Sequence, residues 1–204
     1  TEGSVAIGEN TANYAITLVK GTLTISQNTA EITVVPGSGS KTYDGTALTK
    51  TEHDDFTVTG VPEGFTWTAT ADGTVTNVTP GEGEKAVNAV TEFKIFNADG
   101  DDVTDQFANI DKSATGTLEI TARPITLTAN DASNEYTGST ITYATAGDAE
   151  SPYYKITSGS LADGQSITAI TLTGEGVEVG EYDIEITEGS VAIGENTANY
   201  AITL

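Results

Sequence analysis

The feature that most constrains this chain is that it repeats itself. The string TEGSVAIGENTANYAITL runs from Thr1 to Leu18 and again, letter for letter, from Thr187 to Leu204, an offset of 186 residues. A fainter repeat sits at half that distance. ITVVPGSGSKTYDGTALT from Ile32 aligns with ITLTANDASNEYTGSTIT from Ile125, 93 residues on, which sets Tyr43 of KTYDGT against Tyr136 of NEYTGS. GVPEGFTWTA corresponds to SLADGQSITA, and NYAITLVKGTLTIS from Asn13 to QFANIDKSATGTLEIT from Gln106, with two extra residues in the latter. Self-similarity at a fixed period is the mark of units stacked in tandem. The reading that follows is a pair of modules of about 93 residues. Residues 1–28 are read as the C-terminal strands of a preceding module. Residues 29–122 then form a complete module, and 123–204 a second one lacking its final strand. On this expectation the chain is an excerpt cut out of phase with its modules, and VKGTLTIS, present at Val19–Ser26, would follow Leu204. The absence of methionine also points to an excerpt or a processed chain.

The local pattern is strand. GTLTIS, GTLEIT, ITLTA, FTWTA and YDIEI alternate apolar with polar residues and are rich in Thr, Val and Ile, which suits a pleated surface buried on one face. EKAVNAVTEF from Glu84 is the best helix candidate, but its alternation continues into FKIF and it too reads as strand. Asp44-Gly45, Asp72-Gly73, Asp99-Gly100 and Asp163-Gly164 carry hairpin-turn chemistry. Short strands separated by turns over about 93 residues predict an all-β fold of Ig-like β-sandwich modules, with a β-grasp-like module, which has one helix, as the alternative. Between modules, Leu118 and Ile120 share one parity and Ile125 and Leu127 the other. The inward face therefore switches at Arg123-Pro124. A stiff linker of about two residues predicts an extended rod rather than loosely tethered beads.

KTYDGTALT, NYAITLVKGTLTI and RPITLTANDASNEYTGST resemble the MBG-type modules repeated in tandem in Gram-positive bacterial surface adhesins. The likeness covers nearly the whole chain, although Thr137 and Ser139 stand where the first module has Asp44 and Thr46. What the resemblance implies is an extracellular, secreted or wall-attached repeat protein in which such modules serve as stalk.

Charge and composition limit the chemistry. Thirty Asp and Glu against eight Lys and Arg give a net charge of −22, which repels phosphate backbones and anionic lipid, so nucleic acid is not an expected partner. No apolar run is long enough for membrane insertion as a helix. With no cysteine and one histidine, thiolate chemistry and a His-rich metal site are out of reach. GSGSKT from Gly37 lacks the second glycine of a phosphate-binding loop. His53 in TEHDDF reads as a solvated loop residue, and Phe65 and Trp67 as core packing. Asp99, Asp101, Asp102 and Asp105 in NADGDDVTD form the best candidate for calcium, but the spacing of an EF-hand is not met. Lys20, Lys94 and Lys112 are the candidates for an internal isopeptide bond, Asn77-Val78-Thr79 is a fortuitous glycosylation sequon, and Tyr153-Tyr154 would serve glycan or receptor binding.

The expected function is therefore a structural stalk or spacer: not an enzyme, with no catalytic, cofactor-binding or metal-binding residue assigned. Its expected partners are neighbouring copies of the same repeat, and other stalks or host ligands reached through a distal tip. The alternatives are a filament subunit joined by strand exchange, with Val19–Ser26 as donor, and glycan or receptor binding by the modules themselves.

Overall fold

The computed structural model describes residue 9 and residues 13–79, 85–146 and 153–204, with the backbone alone for 143–146. Most of the first copy of the duplicated string, Glu84 and Pro80 lie outside the described residues. Within them the chain is almost wholly β-strand. There is no α-helix, only 3-10 turns such as those at His53–Asp55, Thr104–Gln106 and Thr197–Asn199, so the helix that a β-grasp alternative requires does not occur among these residues.

The described residues of 28–121, the first half, hold nine strands. They are β1 (Asn28–Pro36), β2 (Gly39–Thr42), β3 (Leu48–Thr49), β4 (Phe56–Thr59), β5 (Thr66–Ala71), β6 (Thr74–Val75), β7 (Ala86–Phe96), β8 (Phe107–Asp111) and β9 (Thr115–Thr121). Three of them form a sheet in the order β4-β1-β8, four form a sheet in the order β2-β9-β7-β5, and β3 pairs with β6. Ile32 and Val34 of β1, Phe56 of β4 and Phe107 of β8 pack with Phe93 and Ile95 of β7, and Trp67 and Ala69 of β5 lean on the same cluster. Sheet thus faces sheet over a small aromatic core.

The second half runs through β10 (Arg123–Ala129), β11 (Ile141–Ala146), β12 (Tyr154–Ser158), β13 (Thr171–Gly176), β14 (Glu185–Ile186) and β15 (Tyr200–Thr203). Its first sheet, β12-β10-β15, has the arrangement of β4-β1-β8: an antiparallel partner on one side of the central strand and a parallel one on the other. Its second sheet is β11-β13-β14. Two local devices recur at matching places. Gly60 (φ +85°) follows β4 and Gly159 (φ +74°) follows β12. A side chain at either would run into the backbone carbonyl of Glu31 or of Pro124 respectively, so both the left-handed backbone and the close approach require glycine. The Ile95 N–H donates to Thr104 Oγ1 (2.9 Å) and the Ile193 N–H to Thr197 Oγ1 (2.8 Å). In each case a 3-10 turn follows and then a strand opened by a buried aromatic, Phe107 or Tyr200.

Several expectations hold and several are corrected. EKAVNAVTEF is strand from Ala86 onward, as β7. Leu118, Ile120, Ile125 and Leu127 are all buried, so the inward parity does switch between β9 and β10. The linker, however, is shorter than two residues: Ala122 alone separates the strands, and Arg123-Pro124 lie within β10. That proline is tolerated in a strand because the ladder with β15 starts there and does not need its missing N–H. YDIEI contributes only Glu185–Ile186 as strand. GTLTIS at residues 21–26 is not a strand, and Val19, Leu23 and Ile25 are 89%, 88% and 87% exposed. Alternation makes a segment competent for a sheet, but a strand forms only where a partner offers hydrogen bonds. Of the Asp-Gly pairs, Gly45, Gly100 and Gly164 have φ of +83°, +85° and +75°. Only Asp99-Gly100 closes an antiparallel contact, between Phe96 and Asp102; the other three carry the chain from one sheet to another.

Gly73 does not adopt positive φ; it sits where it does because of Asn88. This side chain is fully buried in β7. Its Oδ1 accepts from the Gly73 N–H (2.9 Å), and its Nδ2 donates to the carbonyls of Gly37 (3.0 Å) and Lys50 (2.8 Å). One amide thereby ties three loops to the sheet. Asn88→Ala is expected to lower the unfolding free energy by about 3 kcal/mol or more, because each buried group left unpaired costs about 1–3 kcal/mol. Urea denaturation of the variant against the parent measures it.

Candidate functional site

Among the described residues the best-built polar cluster lies between the two halves, and its centre is Tyr43. The turn that presents it is locked locally. Lys41 Nζ reaches Asp44 Oδ1 (2.7 Å) and Thr46 Oγ1 (2.6 Å), and the same Asp44 oxygen accepts from the Thr46 N–H (2.9 Å) and hydroxyl (2.7 Å). The Lys41 ammonium first, and then the Thr46 donors, hold the Asp44 carboxyl well below the ordinary carboxylate range. The Tyr43 N–H donates to the Thr121 carbonyl (2.9 Å), which fixes the turn to the end of β9.

Tyr43 itself is 2% exposed, and the second half buries it. Its ring meets that of Tyr200 edge-on, with centroids 5.6 Å apart at 76°. Its hydroxyl donates to Asn196 Oδ1 (3.0 Å) and accepts from Gln165 Nε2 (2.7 Å). Gln165 Oε1 in turn accepts from the Tyr200 hydroxyl (2.6 Å), which accepts from the Ala162 N–H (2.9 Å). This is a continuous relay in which each tyrosine hydroxyl both donates and accepts.

Two further ties flank it. Arg123 donates to the Ser160 carbonyl through Nε (2.6 Å), to Ser160 Oγ (2.7 Å) and to the Tyr43 carbonyl (3.3 Å). Asn199, 4% exposed, accepts from the Val78 N–H (2.8 Å) and donates to Asn77 Oδ1 (3.0 Å). Apolar packing closes the joint, since Tyr43 and Ile120, with Leu48, Val75 and Val78 beside them, belong to the same core cluster as Ile125, Leu127, Leu172 and Tyr200.

The residues weighed as chemical candidates are dispersed. His53 is exposed in its 3-10 turn and stacks on Trp67, centroids 4.0 Å apart. GSGSKT is strand from Gly39, and Lys41 is engaged with Asp44. In NADGDDVTD the oxygens serve the turn itself: Asn97 Oδ1 accepts from the Asp99 and Asp101 N–H groups (3.0 and 2.8 Å), and Asp102 Oδ1 from the hydroxyl and N–H of Thr104 (2.6 and 3.1 Å). Those Thr104 donors lower the Asp102 pKa. Among the described residues no group of three or more His, Asp or Glu side chains is arranged to hold a metal ion. Lys20 and Lys112 are exposed, and Lys94 pairs with Glu92 at 3.2 Å, so none has the buried setting of an isopeptide donor. Tyr154 is buried in β12, and Asn77 belongs to the joint. Tyr136, the sequence counterpart of Tyr43, is 60% exposed. Comparison of the chain with protein-family models, with curated proteins and with solved structures finds no match.

Two outcomes are expected. Tyr43→Phe keeps the ring but strips Gln165 and Asn196 of a partner, and should cost about 1–3 kcal/mol, whereas Tyr43→Ala should cost about 3–5 kcal/mol. In calorimetry the alanine variant should separate a transition of the second half from that of the first. The Asp44 carboxyl has a depressed folded pKa, so the stability it contributes is complete above the unfolded value of about 3.9 and is lost as pH falls below it. Thermal melts between about pH 5 and 2.5 should therefore show the parent losing more stability on acidification than Asp44→Asn, which cannot titrate there.

Proposed function

We propose that this chain is a structural stalk segment: tandem Ig-like β-sandwich modules of about 93 residues from a repetitive, extracellular bacterial surface adhesin or fibre of the Gram-positive kind. The observation that carries the reading is the joint. Two β units connected by one residue, Ala122, and locked by the Tyr43 relay hold a fixed mutual geometry. A spacer needs this property, and a string of independent binding domains does not. The matching order of the sheets β4-β1-β8 and β12-β10-β15 and the recurrent Gly60 and Gly159 turns support tandem units. The likeness of KTYDGTALT and RPITLTANDASNEYTGST to adhesin modules supports the cell-surface setting. Among the described residues no helix is long and apolar enough to cross a membrane.

Load along the chain would act on strand ladders. β1 pairs in parallel with β8, and β2 with β9, so in each pair the strands must slide over one another and break several hydrogen bonds together. Pulling single molecules from their two ends tests the reading. The expected trace has two unfolding events, each releasing about 300 Å of chain at about 3.3–3.6 Å per residue, and Tyr43→Ala should lower the force of the weaker event. A chain that extends without resistance would overturn the stalk reading.

A further inference from the structure

The four Asp-Gly pairs of the chain carry a chemistry beyond turn formation. A glycine nitrogen has no side chain beside it to hinder its approach to the preceding carboxyl group, so it can close on that group to give a five-membered succinimide. Closure needs a backbone N–H that no acceptor holds, a carboxyl that no donor holds, and room to move. The fold withholds at least one of these from three of the pairs. The Asp44 carboxyl accepts from the Lys41 ammonium (2.7 Å) and from the hydroxyl (2.7 Å) and N–H (2.9 Å) of Thr46. The buried Gly73 N–H donates to Asn88 Oδ1 (2.9 Å), and Asp72 Oδ1 accepts from the Ala89 N–H (3.3 Å). The Gly100 N–H donates to the Asn97 carbonyl (3.0 Å).

Asp163-Gly164 has no such restraint. Both residues are exposed, and nothing lies within 4 Å of the place a Gly164 side chain would occupy. Among the described residues neither the Asp163 carboxyl nor the Gly164 N–H meets a hydrogen-bond partner. The pair also sits at a sensitive place. The Gln165 N–H donates to the Ala162 carbonyl (3.1 Å) and Gly164 has φ of +75°, which makes 162–165 a type II turn. Both ends of that turn belong to the Tyr43 joint: the Ala162 N–H donates to the Tyr200 hydroxyl (2.9 Å), and the Gln165 amide bonds both tyrosine hydroxyls. The first half has the same turn with a different acid. The Phe65 N–H donates to the Pro62 carbonyl (3.3 Å), Gly64 has φ of +89°, and Glu63 stands where Asp163 does. A glutamate would have to close a six-membered ring, which forms far more slowly.

We propose that Asp163 is a site of spontaneous backbone isomerisation to isoaspartate, and that this change loosens the joint between the two halves. The Gly164 nitrogen gives up its proton and bonds to Asp163 Cγ. A Cγ–O bond breaks, and the oxygen leaves as water with that proton and the one the carboxylic acid carries. Water then adds back at one of the two imide carbonyls. Breaking the bond from nitrogen to Cγ restores aspartate. Breaking the bond from nitrogen to the main-chain carbonyl carbon gives isoaspartate, in which the chain runs through Cβ and Cγ. One water is lost and one regained, so mass and formal charge are unchanged. The backbone between Ala162 and Gln165 is now one atom longer, however. The turn can no longer hold the Gln165 N–H on the Ala162 carbonyl, and the Gln165 amide is displaced from Tyr43. The lock between the halves thus has a chemical lifetime of its own. Isomerisation at Asp163 depends on the joint alone and stands whether or not the chain is a stalk.

The test ages the parent chain and an Asp163→Glu chain, which gives the second half the acid of the first, for weeks at neutral pH and body temperature, both folded and in urea. Circular dichroism confirms that the variant is folded. Peptide mapping with electron-transfer fragmentation, which tells isoaspartate from aspartate, reads all four pairs, and hydrogen exchange read by mass spectrometry follows the amides of Ala162 and Gln165. In the folded parent, isoaspartate is expected to accumulate at Asp163 several-fold faster than at Asp44, Asp72 or Asp99, with the four rates converging in urea. Exchange around Ala162 and Gln165 is expected to speed up in the aged parent and to stay unchanged in aged Asp163→Glu. Equal rates at the four pairs of the folded chain would overturn the proposal, as would a preference for Asp163 that persists in urea, since the fold would then not be the selector. Unchanged exchange in chains that carry isoaspartate at position 163 would overturn its effect on the joint.

Discussion

Everything about the mutual placement of the two halves depends on the Tyr43 hydroxyl having somewhere to go. A phenol buried to 2% exposure without partners would be costly to desolvate. Here it gains a donor and an acceptor, Gln165 and Asn196, from a part of the chain more than 120 residues away. The two partners fix the ring's orientation, and the edge-on contact with Tyr200 and the packing of Ile120 against the second core follow from it. The Lys41-Asp44-Thr46 turn supports this contact locally by fixing the loop that carries Tyr43. A joint made this way opposes bending because hinge motion would part the buried Tyr43 hydroxyl from both of its partners.

The two halves also show how a repeated backbone acquires a new surface. In the first half Phe65 and Phe107 meet edge-on, centroids 5.2 Å apart, as plain core packing. Their counterparts are Gln165 and Tyr200, and there the aromatic contact has become a hydrogen bond from the Tyr200 hydroxyl to Gln165 Oε1 (2.6 Å). That exchange of an apolar pair for a polar one leaves Gln165 Nε2 free to meet Tyr43. The backbone devices, glycine after the second strand of the sheet and threonine capping the 3-10 turn, stay the same in both halves. Fold is conveyed by the shared features and docking by the altered ones.

Much of this was readable in the sequence, and the boundary is physical. Alternation in GTLEIT, ITLTA and FKIF located buried strand faces, and the parity change between Ile120 and Ile125 located the junction, because both are properties of contiguous residues. The parallel pairing of β1 with β8 was not legible, since hairpin reasoning sees only neighbours in the chain. Asn88 escaped notice because its three partners, Gly37, Lys50 and Gly73, lie 51, 38 and 15 residues away and nothing local marks it among the alternating residues of β7. The repeat made Tyr43 conspicuous, but its role could not be read, as Asn196 and Gln165 look like ordinary turn residues. GTLTIS shows the opposite error: the local pattern is right and the strand is absent, because sheet formation belongs to a pair of segments and not to one.

The acidity of the chain gains a specific meaning from this geometry. A net charge of −22 opposes the approach of one molecule to the side of another, but at physiological salt the repulsion reaches only about 8 Å. Lateral contacts therefore meet like charge just where they would form, and exposed strand edges, the usual seeds of disordered aggregation, are kept from pairing with acidic neighbours. The stretch from Val19 to Ser26 is an exception in that field, lacking acids and carrying Lys20.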